Sequence, residues 1–302
     1  MKFIRAKWVV ALLFGALFVM YLWAGWFFSS ILLYPGPLHC RVKSFVYCKG
    51  PSELGLSYKE VSFRSKDNFL LKGWWIPAAK DQHKAVIFVH GRGADRREGI
   101  RFVKILHDAG IHTLAFDLRN CGKSQKSFNS MNYHERKDVV AAIDFVTKKQ
   151  GVKHLGLFGF SMGAATSMLV MAKDTRVKAG LFEGGFSRFS DVIAERAKSV
   201  YGVPRYPLLP LVEFFYSWRG QLEPSKMDPL DVIATISPRP VFFIQGTKDR
   251  IVVPHHGKRL YAKAKQPKTL WLASGVGHIK VWQKYPKKAT KDITAYFTKY
   301  LR

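Results

Sequence analysis

The chain opens on an unbroken apolar run and then settles into alternation. From Trp8 to Leu33 no charged residue occurs, and Leu, Val, Phe and Trp dominate. About 20 apolar residues suffice for a helix to cross a bilayer, so this run is long enough. After a short stretch holding Pro35, Gly36 and Pro37, polar positions enter the pattern. Tyr58–Arg64 and Phe69–Ile76, joined by Lys66-Asp67-Asn68, have the β-rich composition of an antiparallel pair at a sheet edge. Apolar runs then recur at Ala85–Val89, Thr113–Phe116, His154–Phe158, Val177–Phe182, Val241–Gln245 and Thr269–Leu272. Between them, helical spacing covers 95–109, 134–149, 162–171, 256–265 and 279–300; in the first, Phe102, Ile105 and Leu106 fall at i, i+3 and i+4. Continuous apolar strands alternating with helices predict a mostly parallel sheet covered on both faces, an α/β fold.

The rhythm breaks between Phe186 and Ser237. This stretch is apolar, aromatic and interrupted by Pro204, Pro207 and Pro210. It is long for a connection, and such insertions often act as lids over a site. Leu208, Phe214 and Phe215 are its expected pocket residues and suggest an apolar acyl chain as occupant. The predicted organisation is an anchor at 1–34, a linker at 35–57, and one domain at 58–302 with the insertion at about 186–237.

Composition changes this picture in two ways. Of 302 residues 48% are apolar, enough for one large core, while 49 Lys and Arg against 21 Asp and Glu give a net charge of +28. So large a positive charge favours anionic surfaces. The basic residues are spread along the chain without a nucleic-acid-binding signature, so specific nucleic-acid binding is not expected and an anionic membrane surface is the expected counterpart. Lys2, Arg5 and Lys7 precede the apolar run, which keeps the tail cytoplasmic and carries the rest of the chain to the extracytoplasmic side. Arg41, Lys43 and Lys49 beyond the run weaken that bias. A cleaved signal is the other reading, but its apolar core is usually about 7–15 residues and ends at a small-x-small site that this run lacks. Cys40 and Cys48 are placed to pair in an oxidising compartment or to remain two free thiols. Cys121 has no evident basic partner and reads as structural.

The chemistry centres on Gly159-Phe160-Ser161-Met162-Gly163, which lies between a predicted strand and a predicted helix. A serine on such a turn is a nucleophile elbow: the turn lifts its hydroxyl above the sheet edge. Alone, the motif is compatible with an ordinary Gly-Ser turn. Acyl transfer also needs a base, a carboxylate to orient it and N–H donors for the oxyanion. Asp249 follows the strand ending at Gln245, and His278 follows the next strand in Gly275-Val276-Gly277-His278. Each falls at the carboxyl edge of the predicted sheet, where α/β ligand sites lie. Asp231 competes with Asp249 but precedes its strand, and His255 and His256 read as the start of a helix. His90-Gly91-Arg92-Gly93 follows the first central strand; the N–H groups of Arg92 and Met162 are the expected oxyanion donors. Arg119 is expected to brace its loop through a carboxylate, with contact to an anionic substrate group, alongside Arg92 and Arg96, as the alternative. Glu183 reads as a structural acid near the site.

As a set, His90-Gly91-Arg92-Gly93, Asp117-x-Arg119-x-x-Gly122-x-Ser124, Gly159-Phe160-Ser161-Met162-Gly163, Gly246-x-x-Asp249 and Gly277-His278 resemble the α/β-hydrolase fold superfamily. More narrowly, the chain is similar to membrane-anchored serine hydrolases of the Bem46 type and their bacterial relatives over about residues 58–300. The resemblance implies esterase, lipase, thioesterase, peptidase or acyltransferase chemistry with no metal or cofactor. The expected function is cleavage of a carboxylic ester or thioester, of small-molecule or lipid origin, by the triad Ser161, Asp249 and His278. An acyltransferase or serine peptidase on the same triad, and a catalytically silent binding module, are the alternatives.

Overall fold

The computed structural model describes residues 2–41, 45–78, 80 and 83–302, with side chains from residue 7 onward. Lys43 and the side chains of Lys2 and Arg5, invoked above for orientation, lie outside the described residues. Eight strands form one sheet: β1 Lys59–Arg64, β2 Leu70–Ile76, β3 Lys84–Val89, β4 His112–Phe116, β5 His154–Phe160, β6 Val177–Glu183, β7 Val241–Gly246 and β8 Lys268–Ala273. Their order is β1-β2-β4-β3-β5-β6-β7-β8. β1 and β2 pair antiparallel, as does β2 with β4, and the other pairings are parallel. The sheet is mostly parallel, as the apolar pattern predicts, and the fold is the α/β-hydrolase fold that the resemblance implies.

Alternate residues of the central strands feed opposite faces. Ile87, Val89, Leu155 and Leu157 pack on one side, and Val86, Phe88, Phe158 and Phe160 on the other. Both faces are therefore covered, which is why these strands read as continuous apolar runs. Eight main helices surround the sheet: α1 Lys2–Leu33, α2 Val103–Asp108, α3 Glu135–Asp144, α4 Met162–Met171, α5 Phe189–Tyr201, α6 Leu208–Gly220, α7 His255–Lys263 and α8 Pro286–Tyr300. The stretch Lys7–Leu33 of α1 is long and apolar enough to cross a membrane.

Three helical expectations need correction. The helix expected over 95–109 begins as a 3-10 segment, Arg96–Phe102, before α2. Gly99 lowers helical propensity there, and its backbone presses so close to Phe88 that a Cβ would lie 2.6 Å from the ring. The helix expected over 134–149 finishes as a π turn, Phe145–Lys149. The one expected over 279–300 divides into a single turn, Val281–Lys284, and α8, because Pro286 offers no N–H to continue the ladder. The insertion, read from sequence only as Pro-interrupted, holds α5 and α6. Pro210 is tolerated inside α6 because it occupies the first turn, whose N–H groups have no intrahelical partner.

The segment after α1 is tied to the domain. The Leu38 N–H donates to the Gly93 carbonyl at 2.8 Å, and Phe45 and Leu56 are buried. Cys40 and Cys48 form a disulfide with a Cα separation of 5.7 Å. Cys121 is free and buried, and burial pushes its thiol pKa up, which suits a structural role.

Candidate active site

Parallel pairing of β3 with β5 aligns Val89 with Gly159, so the turns after both strands emerge side by side. Ser161 occupies the β5–α4 turn with φ 52° and ψ −118°, a conformation L-residues rarely adopt. The flanking glycines have steric reasons. A Cβ on Gly159 would lie 2.5 Å from Ala164 Cα, and one on Gly163 would lie 2.1 Å from the Val89 carbonyl oxygen. The Ser161 N–H donates to the Glu183 carbonyl oxygen at 2.9 Å, fixing the turn to the end of β6.

His278 lies in the loop after β8, and its Nδ1 is 2.7 Å from Asp249 Oδ2. Asp249, buried after β7, also accepts the N–H groups of Ile251 and Val252 at 2.8 and 2.9 Å. Those two backbone donors hold Oδ1, while Oδ2 faces the imidazole and also accepts from Gln245 Nε2 at 3.4 Å. The φ-positive Gly184 backs the ring: a Cβ there would come within 3.2 Å of His278 Cε1. Ser161 and His278 both line one cavity of about 360 Å³, together with Gly91, Arg92 and Met162. Of the expected triad, Asp249 and His278 are in direct contact, and Ser161 shares the cavity with the imidazole.

The loop after β3 is held from several sides. His90 Nε2 accepts the Leu118 N–H at 3.0 Å, so the ring proton is on Nδ1, which donates to the Gly91 carbonyl oxygen at 2.8 Å. The Gly91 N–H donates to Glu98 Oε2 at 2.6 Å. That donor is committed, which leaves the Arg92 N–H as the next one along the loop. The Arg92 side chain turns the other way and donates through Nη2 to the carbonyl oxygens of Ile31 and Leu32, at 2.6 and 3.2 Å, at the end of α1. That nitrogen is thereby committed to main-chain acceptors. Sequence reasoning missed Glu98 and this use of Arg92; neither has a local signal, because their partners lie on other elements.

Arg119 pairs with Asp138 at 2.6 Å and with Asp67 at 2.9 Å. Asp138 is fully buried, and its Oδ2 also accepts the Arg119 N–H at 2.9 Å. Arg96 is likewise engaged, with Asp117 and Glu60. These arginines brace loops, as the structural expectation for Arg119 has it. Glu183 is buried and accepts the Val281 N–H at 3.0 Å, linking the Ser161 turn to the segment after His278. Burial pushes its carboxyl pKa up against the pull of Arg101.

The remaining candidates lie apart. Asp231 pairs with Arg188 at 2.9 Å. His255 and His256 start α7 as expected, and both face Glu195. The Ser187 N–H donates to His256 Nδ1 at 3.1 Å, so the ring proton is on Nε2, 3.0 Å from Glu195 Oε2. This is a hydrogen-bonded cluster outside the cavity.

The insertion corrects part of the expectation. Leu208 lines the cavity, but Phe214 and Phe215 do not. On α6, Leu208, Leu209 and Val212 share the inward face, whereas Phe214 is exposed and Phe215 packs edge-on against Trp26 of α1. Phe28, Ile31 and Leu32 of α1, which the sequence assigned to the anchor alone, also line the cavity.

A family model described as alpha/beta hydrolase fold matches residues 84–209. The chain is 29% identical over 211 residues to the uncharacterized protein YqkD of Bacillus subtilis, covering 69% of this chain and 68% of that one. It is 26% identical over 257 residues to the lysophosphatidylserine lipase ABHD12 of Danio rerio, covering 76% and 65%. Among solved structures, the Pyrococcus furiosus esterase Pf2001 superposes with a TM-score of 0.72 at 23% identity, covering 89% of this chain and all of that one.

Proposed function

We infer that the chain is a member of the α/β-hydrolase superfamily, and on that premise we propose that it is a serine hydrolase of carboxylic esters or thioesters. The observation that carries the reading is the Asp249–His278 pair at 2.7 Å on the cavity that Ser161 also lines.

Ser161 Oγ attacks the acyl carbon while His278 Nε2 takes its proton. Asp249 keeps the Nδ1–H tautomer and stabilises the imidazolium. The N–H groups of Arg92 and Met162 hold the oxyanion, the latter at the start of α4, where the helix dipole favours negative charge. Collapse expels the alcohol or thiol, which receives the proton from His278. Water then attacks the acyl-enzyme by the same path and releases the acid. Every step is made by side chains and backbone of this chain, so the chemistry calls for no cofactor.

The cavity walls are mostly apolar, with Arg92, Glu98 and Arg196 as their charged members, and an acyl group of apolar character fits the apolar part. The likeness to a lipase supports the same substrate class. The insertion carrying α5 and α6 serves as the lid. Residues 1–34 anchor the protein, with the catalytic domain on the extracytoplasmic side; the basic Lys7 end and the Cys40–Cys48 disulfide support that orientation.

The test is labelling by a fluorophosphonate probe with ester turnover measured alongside. Wild type labels and hydrolyses, and Ser161→Ala does neither. Labelling that persists in Ser161→Ala places the nucleophile elsewhere. Acyl transfer to an added alcohol with negligible free acid converts the reading to an acyltransferase, and turnover of peptides but not esters converts it to a peptidase.

A further inference from the structure

α1 does more than reach the domain. Its last three turns pack along α6, and the two helices run in the same direction. The Tyr21 hydroxyl donates to the Pro207 carbonyl oxygen at 2.9 Å, just before α6 begins. One turn on, Gly25 lies so close that a Cβ would sit 2.6 Å from Leu211. Further along, Arg219 stacks over Trp26 at 3.9 Å and donates to Ser29 Oγ and Ser30 Oγ, both at 2.7 Å. Small residues at such a crossing let the backbones approach.

The length of α1 then places α6. Lys7 bounds the apolar run, and about 20 residues at 1.5 Å each fill a hydrocarbon layer of about 30 Å. Counted from Trp8, that layer extends to Phe27, while the contact with α6 begins at Tyr21. The first turns of α6 therefore lie beside membrane-embedded residues. The exposed face agrees: Phe214, in the second turn, is 61% exposed, and Trp218, one turn later on the same face and level with Ser29 and Ser30 at the edge of the layer, is 65% exposed. Glu213 lies about 100° round the helix from Phe214 and is half-buried.

The cavity meets this surface. Phe28, Ile31 and Leu32 form one wall of it, and Tyr201, 54% exposed, belongs both to its lining and to the outer surface. The Tyr201 ring packs edge-on against Phe28 at 5.5 Å.

Resting on the serine-hydrolase reading, we propose that α1 and α6 form one membrane-embedded unit that carries a wall and the rim of the substrate cavity. Acyl groups then enter from the bilayer side, and the last turns of α1 set which of them fit. The Arg92 guanidinium, bound to the Ile31 and Leu32 carbonyls, ties this wall to the loop that holds the oxyanion donor.

The experiment uses the full chain in phosphatidylcholine/phosphatidylglycerol vesicles. Two ratios of kcat/KM are read: p-nitrophenyl dodecanoate over p-nitrophenyl acetate, and vesicle-borne over detergent-dissolved dodecanoate. Ile31→Trp, which fills the wall, is expected to lower the first ratio about tenfold, the scale of pocket discrimination. Phe214→Asp with Trp218→Asp is expected to lower the second about tenfold, since charge at this depth is costly. Where Ile31→Trp does not fold, Phe28→Ala replaces it and must move the first ratio at least about threefold. Either ratio staying within about twofold of wild type, in variants that still label with a fluorophosphonate, overturns the proposal. A wild-type protein that neither labels nor turns over acetate overturns the serine-hydrolase reading instead.

Discussion

Two parts of the molecule meet at the cavity: Ser161 and His278, with Asp249 behind the imidazole, each follow a strand of a single sheet, whereas Phe28, Ile31 and Leu32 sit on a helix outside it. The first side is located by main-chain pairing and by hydrogen bonds to buried groups. Asp249 holds two backbone N–H groups and an imidazole, and the Ser161 turn is fixed to β6. The second side is held by helix packing and by hydrogen bonds from Arg92, Tyr21 and Arg219 that lie away from Ser161 and His278. On the proposed function, rigid placement of charge serves the reacting centre, and a packed helix face suffices where only the shape of an acyl group is read. Changes on the sheet side should therefore act on kcat, and changes on the helix side on selectivity.

The comparison is tested most severely at Ser161. Ser161→Ala and His278→Ala are each expected to lower kcat about 10⁶-fold, as for residues that act as a unit, with an unchanged melting temperature. A loss confined to KM breaks the division. Asp249→Asn, which presents the wrong tautomer partner, should cost about 10⁴ in kcat with KM little changed, measured at saturating ester. Arg119→Ala removes the partner of buried Asp138, with an expected destabilisation of about 3–5 kcal/mol in denaturant unfolding. If it instead lowers kcat while stability stands, Arg119 belongs to the reacting side.

Arg92 sharpens the comparison because it touches both sides. Arg92→Ala should lower kcat up to about 10²-fold by loosening the loop donor, while also shifting chain-length selectivity. A shift in selectivity alone would assign the side chain wholly to the helix wall. The smallest effect concerns His256, whose pKa burial and then neighbouring His255 pull down to about 4. The folded state disfavours its proton, so its contribution is present above pH 6.5, its ordinary value, and is lost as pH falls toward 4. Melting temperature should decline over that window, and His256→Gln should flatten the decline; an equal slope in both proteins removes His256 as its source.

The sheet side of the candidate site was largely legible in the sequence, because its signals are local. Apolar runs ended at glycine-bearing turns, and a strand followed by Gly-x-Ser-x-Gly constrains its own backbone. The helix wall was not legible. Which face of α6 looks inward depends on what covers the other face, and that is α1, separated by most of the chain. Phe214 and Phe215 therefore passed for pocket residues on composition, while Ile31 and Leu32 passed for plain anchor. Pro286 was visible in the sequence, yet the apolar spacing of 279–300 outweighed it, and the helix divides there.

The bond from Arg92 to the last carbonyls of α1 bears on how this enzyme can be handled. A soluble version trimmed after Leu33 would strip a guanidinium of its acceptors and uncover a greasy opening. Such a fragment would hydrolyse small activated esters indiscriminately and stick to itself. Preparations should instead keep Tyr21 onward, or retain the whole segment in detergent.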